Sequence, residues 1–158
     1  MGVAPESQVI PVGSKLTVVA VTPTIDTAAY ASGDTLTPVM TFADVAIAAG
    51  GSGCIVGLTV VDAAAQSAAA ELWLFTASPT VPALNAAWSI SDADAATCIG
   101  VIPFGPYYAS ALNSVSCKSV TFPFVTGATT AIYGVAVIRA AGTYAATDLK
   151  FVLRVAKD

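Results

Sequence analysis

The sequence predicts an all-β fold: a single-domain antiparallel β-sandwich, jelly-roll-like, with an extended N-terminal arm and one short helical turn. Apolar residues recur with period two along much of the chain, the repeat of strands whose side chains point alternately to two faces. Eight or nine such runs are separated by clusters of Gly, Pro, Ser and Asp. No stretch carries the apolar repeat of a long helix. Many short strands with regular turn signals make sandwiches and jelly rolls.

Residues 1–13 contain Pro5 and Pro11 without usable periodicity, so they read as an arm laid out before the sandwich domain of 14–158. Val9 and Ile10 are the arm's candidate contact residues. The first strand is 15–22, with Leu16, Val18 and Ala20 on one face, Val19 and Val21 on the other, and Pro23 ending it. The connection closes at Ser32-Gly33-Asp34, where Gly33 accommodates a positive φ. A second strand over 35–42 contains Pro38, which places it at an edge or a bulge. The Ala-rich segment 43–53 ends in Gly50-Gly51-Ser52-Gly53; lacking the lysine of a phosphate loop, it reads as a flexible turn. Strand 54–62 is apolar enough to be buried on both faces, and its spacing from 71–77 predicts that the two are antiparallel neighbours.

The stretch 71–104 holds both tryptophans. Glu71, Trp73 and Phe75 alternate with Leu72, Leu74 and Thr76, and a long loop broken by Pro79 and Pro82 follows. Ser91-Asp92-Ala93-Asp94 fits a serine N-cap with an acid at the third helical position; as a calcium-loop fragment it lacks the later ligands. Strand 98–104 leads to the turn Gly105-Pro106-Tyr107-Tyr108 and a polar loop through Lys118. Residues 119–126 and 130–140 read as a hairpin around Gly127, with Tyr133, Val135, Val137 and Arg139 on one face. In the last strand, 148–158, Leu149, Phe151, Leu153 and Val155 face inward while Lys150, Val152, Arg154 and Ala156 face out. The Tyr-to-Asp spacing of Tyr30–Asp34 recurs in Tyr144–Asp148, an echo that related corners of a double Greek key or chance explain equally well.

Composition narrows function. The length fits one domain with a real core. Charged residues are only 10%, against about 25% in an ordinary soluble domain, so something other than charge must cover the surface. A membrane span is disfavoured because every long apolar run is interrupted by Gly, Pro, Ser or Thr. A membrane barrel would need aromatic girdles, and aromatics are only 8%. A surface covered by protein partners is the better account. The N-terminus has neither the basic start and apolar core of a signal peptide nor the Ser or Thr of a myristoylation signal, Glu6 standing there instead. A net charge of −4 argues against binding nucleic acid.

Chemistry is scarce. Without any histidine, Ser-His-Asp and Cys-His arrangements are impossible and zinc loses its commonest nitrogen ligand. Glu71, Asp92 and Asp94 leave paired-carboxylate hydrolysis formally open, but sugar-binding donors are few. No catalytic residue, metal ligand or cofactor is expected. Cys54, Cys98 and Cys117 read as buried reduced thiols, with a single disulfide as the alternative. Trp88, Tyr107 and Tyr108 are candidate exposed aromatics, serving as interface anchors, sugar platforms or plugs at the sandwich ends. Arg139, Lys150, Arg154 and Lys157 read as edge-protecting charges or as partners of an acidic neighbour. The candidate interface residues are thus Val9, Ile10, Trp88, Tyr107, Tyr108, Arg139 and Arg154.

The blocks TPTIDTAAYASGD (22–34), ELWLFTASPT (71–80), NAAWSISDADAATCIGVIPF (85–104) and TAIYGVAVIRAAGTYAATDLKFVLRV (130–155) resemble small structural proteins of tailed bacteriophages and prophages. The resemblance spans nearly the whole chain after the arm and carries no catalytic residues. It implies a head decoration or cement protein on the outer capsid surface, assembled in the host cytoplasm. It also implies the major capsid protein as partner and association into dimers or trimers, with no nucleic acid or membrane involved. The alternative is a tail-associated carbohydrate- or receptor-binding module using Trp88, Tyr107 and Tyr108.

Overall fold

The computed structural model describes residues 15–158. In chain order the strands are β1 (Lys15–Val21), β2 (Met40–Phe42), β3 (Ser52–Asp62), β4 (Ala70–Phe75), β5 (Cys98–Phe104), β6 (Tyr108–Ala109), β7 (Ser114–Val125), β8 (Ile132–Ile138) and β9 (Leu149–Lys157). A one-turn helix, α1 (Asp92–Ala95), lies between β4 and β5. They form two antiparallel sheets, ordered β1-β9-β3-β7-β6 and β2-β8-β4-β5. Setting aside the two-residue β6, this is the order of an eight-stranded jelly roll, in which the chain changes sheet at every connection except β4 to β5.

The core follows from alternation. Leu149, Phe151, Leu153 and Val155 of β9 are buried while Lys150 and Arg154 are exposed. Leu72 and Leu74 of β4 and Ile132, Ala136 and Ile138 of β8 belong to the same buried cluster. Each large side chain so buried contributes roughly 1.5–3 kcal/mol by removal from water. Phe104 meets Phe151 edge to face, with ring centroids 5.7 Å apart. Gly134 is required where β8 passes β2, since a Cβ there would lie 2.8 Å from the Phe42 ring. A bulge between Ile55 and Gly57 lets both Ile55 and Leu58 point into the core.

Several expectations need correction. Strand β3 and strand β4 are not neighbours: β3 lies between β9 and β7, β4 between β8 and β5, and the 63–69 connection crosses between sheets. The segments around Gly127 do not form a hairpin either, because β7 and β8 also belong to opposite sheets. A short connection is as compatible with crossing a thin sandwich as with reversing within one sheet. β3 is buried on one face only, with Cys54, Val56, Thr59 and Val61 half-exposed on the other. Only 40–42 of the expected second strand is regular; Thr35 makes an isolated bridge to Val137, and Pro38 lies between. β7 starts at Ser114, so the polar loop after Tyr108 is four residues rather than ten.

The helix start is built as the sequence indicates. Ser91 Oγ accepts a hydrogen bond from the Asp94 amide (3.1 Å) and donates to the Asp94 carboxylate (2.8 Å). The Tyr-to-Asp echo is also a shared local structure. In one corner the Ala31 amide donates to Asp34 and the Asp34 amide donates back to the Ala31 carbonyl. In the other, Ala145 and Asp148 repeat both bonds. Tyr30 and Tyr144 are both buried, and Tyr30 bridges to Gly142, so the two corners lie side by side.

Candidate functional site

The four-stranded sheet covers its own outer face. Phe75, Val135 and Val137 point away from the core by alternation, yet none is exposed. The loop between β4 and β5 closes over them. Its residues 85–88 hydrogen-bond to 33–35: the Trp88 amide to the Gly33 carbonyl, the Thr35 amide to the Ala86 carbonyl, and the Asn85 amide to the Thr35 carbonyl. Trp88 then reaches back to Trp73 of β4, with ring centroids 5.5 Å apart and planes tilted by 55°. Glu71 accepts from Trp73 Nε1 (3.2 Å) and from Arg139 (2.8 Å). The Arg139 guanidinium, followed by the indole N–H, holds the Glu71 carboxyl below the usual carboxylate range, outweighing partial burial.

Among the described residues, nothing covers the outer face of the five-stranded sheet. The strand registers place Leu16, Val18 and Ala20 of β1 beside Ala156, Arg154 and Val152 of β9. Beyond β9 come Cys54, Thr59 and Val61 of β3, then Pro123, Cys117 and Val115 of β7. Leu16, Val18 and Val125 are each 60% exposed. The charged groups on the face are the cations Lys150 and Arg154 and, beside a hollow at one end, Asp158; Arg154 donates to Thr59 Oγ1 across the face (2.8 Å). This hollow, of about 570 Å³, opens between the start of β3 and the end of β7, lined by Gly53, Cys54, Pro123, Phe124 and Ala156 among others.

The candidate interface residues therefore fall into separate places. Val9 and Ile10 lie outside the described residues. Trp88 and Arg139 are joined through Trp73 and Glu71 on the covered face. Arg154 and Tyr108 belong to the bare face, Tyr108 being 74% exposed opposite Val115. Tyr107 is not an exposed aromatic: it packs against the Phe104 ring, and its hydroxyl is buried. Adjacent residues of an extended chain point oppositely, so Tyr107 and Tyr108 could not both face out. The apolar outward residues of β1 and β3 were missed as interface candidates, although Leu16, Val18 and Ala20 were visible as an apolar face opposite another apolar face.

A buried polar end lies beneath Tyr107. Asp62 is fully buried, one carboxylate oxygen accepting from the Ser67 amide (2.7 Å) and the other making no hydrogen bond to the described residues. Burial raises its pKa, against the opposing amide bonds and with a smaller contribution from Asp148. Burial likewise raises the pKa values of Tyr107 and Tyr144. All three cysteines are free, in line with the reduced reading, but they are not buried as expected: Cys54 and Cys98 are half-buried, and Cys117 is exposed on the bare face. Among the described residues no three Cys, Asp or Glu side chains gather as a metal site, and no helix is long and apolar enough to cross a membrane.

No protein-family model matches the sequence, and no curated protein is significantly similar to it. Among solved structures, the chain is similar to that of the infectious bursal disease virus Gt strain, with 12% identity and a TM-score of 0.41. This similarity covers 98% of this chain and 35% of the viral one. For the Gx strain the identity is 12% and the TM-score 0.37, over 99% and 41% of the two chains. The chain thus spans about two-fifths or less of these viral chains, and the likeness is too loose to bear on function.

Proposed function

We propose that this chain is a non-enzymatic virion structural protein, a capsid decoration or cement protein that binds the outer head surface and stabilises contacts between capsomers. The observation that supports it is the outer face of the five-stranded sheet, left bare by the described residues: a broad field of small and apolar side chains whose central charges, Lys150 and Arg154, are cationic. A monomer gains nothing from such a face, whereas a partner with apolar contacts and an acidic rim does. The partner is the major capsid protein, and many modest contacts repeated around a shell resist outward pressure through multivalency. The resemblance of blocks 22–34, 71–80, 85–104 and 130–155 to small phage structural proteins implies the same role. The carbohydrate-binding alternative loses its platform, since Trp88, Tyr107 and Tyr108 do not share a surface.

Adding purified protein to heads stripped of it, and measuring occupancy by sedimentation, tests this reading. Val61→Glu and Arg154→Glu, on β3 and β9 of the bare face, are each expected to lower occupancy at least tenfold with the circular dichroism spectrum unchanged. Wild-type occupancy by both variants, or recovery of the native protein with tails rather than heads, would overturn it.

A further inference from the structure

Among the described residues four strand edges terminate the two sheets, and three of them carry a recognised defence against pairing with another chain. β2 is only three residues long. β5 contains Pro103 and turns toward β7, where Gly100 meets the Phe122 ring so closely that a Cβ would lie 2.9 Å from it. β7 is capped by β6 at its start and carries Lys118 and Pro123 farther along. The fourth edge, β1, has none of these. Its seven residues, Lys-Leu-Thr-Val-Val-Ala-Val, include no proline, no glycine and one charge, at the end. Among the described residues β1 pairs on one side only, with β9.

We propose that the occupant of this edge is a second copy of the chain, pairing β1 to β1 antiparallel about a two-fold axis at Val18, so that two five-stranded sheets continue as one of ten. This goes beyond the virion reading and does not depend on it. An isologous contact requires a self-complementary strand, and β1 is one. With Val18 opposite its own copy, Leu16 meets Ala20 and Lys15 meets Val21. The two valines and both leucines, 60% exposed in the single chain, then form one apolar ladder on the outer face.

Charge favours the same register. The two Lys15 residues sit at opposite ends of the paired strands, about 20 Å apart at ~3.4 Å per residue. That exceeds the Debye length of about 8 Å at physiological salt. Arg154, the cation beside Val18, is directed away from the edge toward Thr59 on β3. Nothing of like charge faces itself across the axis.

The full-length protein, examined by light scattering coupled to size exclusion at micromolar concentration, should run at twice the chain mass. Val18→Lys should run at the single-chain mass with unchanged circular dichroism. Register is tested in a Cys117→Ser background: Val18→Cys should form an intermolecular disulfide under mild oxidation, and Leu16→Cys should do so far less. A wild-type monomer, a dimer unmoved by Val18→Lys, or equal crosslinking at both positions would overturn the proposal. So would dimerisation that appears only after residues 1–13 are deleted, since the preceding segment would then be the occupant.

Discussion

The two outer faces of this sandwich solve the same problem differently. Both sheets turn apolar side chains away from the core. On the four-stranded sheet, Phe75, Val135 and Val137 are sealed by the chain's own loop, fastened to 33–35 and pinned by Trp88 on Trp73. On the five-stranded sheet, no described residue gives Leu16, Val18 and Val125 such a cover. The chain thus shows in one molecule what a covered apolar face looks like, and the bare face stands out by that internal standard. Low charge alone would not separate the two, since both faces are poor in it.

The largest expected effect lies on the covered face. Trp73→Ala removes the surface on which Trp88 rests and should cost about 2–4 kcal/mol in urea unfolding, while making the 76–91 loop a site of proteolysis. A loss below 1 kcal/mol with the loop still protected would mean that Trp88 is not what holds the cover.

A smaller effect is expected at Glu71→Gln, which breaks a half-exposed ion pair worth about 0.5–1 kcal/mol. Its sign with pH follows from the lowered pKa of Glu71. The stabilisation is complete above the ordinary carboxylate value of about 4.3 and is lost as pH falls through the folded one. Melting curves of wild type and variant should therefore converge in acid. The smallest effect belongs to the bare face: Val18→Ser should change the stability of the single chain by no more than about 0.5 kcal/mol. A much larger loss would show that Val18 is already packed within the monomer.

Strands were legible because alternation is local. β9 is the clearest case, with Leu149, Phe151, Leu153 and Val155 inward as the pattern required. The N-cap at Ser91 was legible for the same reason, its partners lying three residues away. Partnership between strands was not. Nothing within 119–140 says that β7 joins β3 while β8 joins β4, because those pairings depend on segments more than 50 residues distant. The interface was half legible. Arg154 and Tyr108 do stand on the bare face. Tyr107, however, reads as exposed by residue type alone, although alternation with Tyr108 points it inward, and β3 reads as buried on both faces because its outward residues are as apolar as its inward ones.

The position of β1 has a further consequence, for synthesis. Its one described partner strand, β9, follows Val21 by about 130 residues of intervening chain, a long loop to close. At roughly 5–20 residues per second, a ribosome needs on the order of ten seconds to make that stretch. Throughout that interval both edges of an apolar, proline-free strand are open. Neighbouring nascent chains on one message would carry the same exposed strand, so crowded translation is where this protein is most exposed to mispairing. Slowing initiation, rather than strengthening the core, is the direct remedy for poor yield.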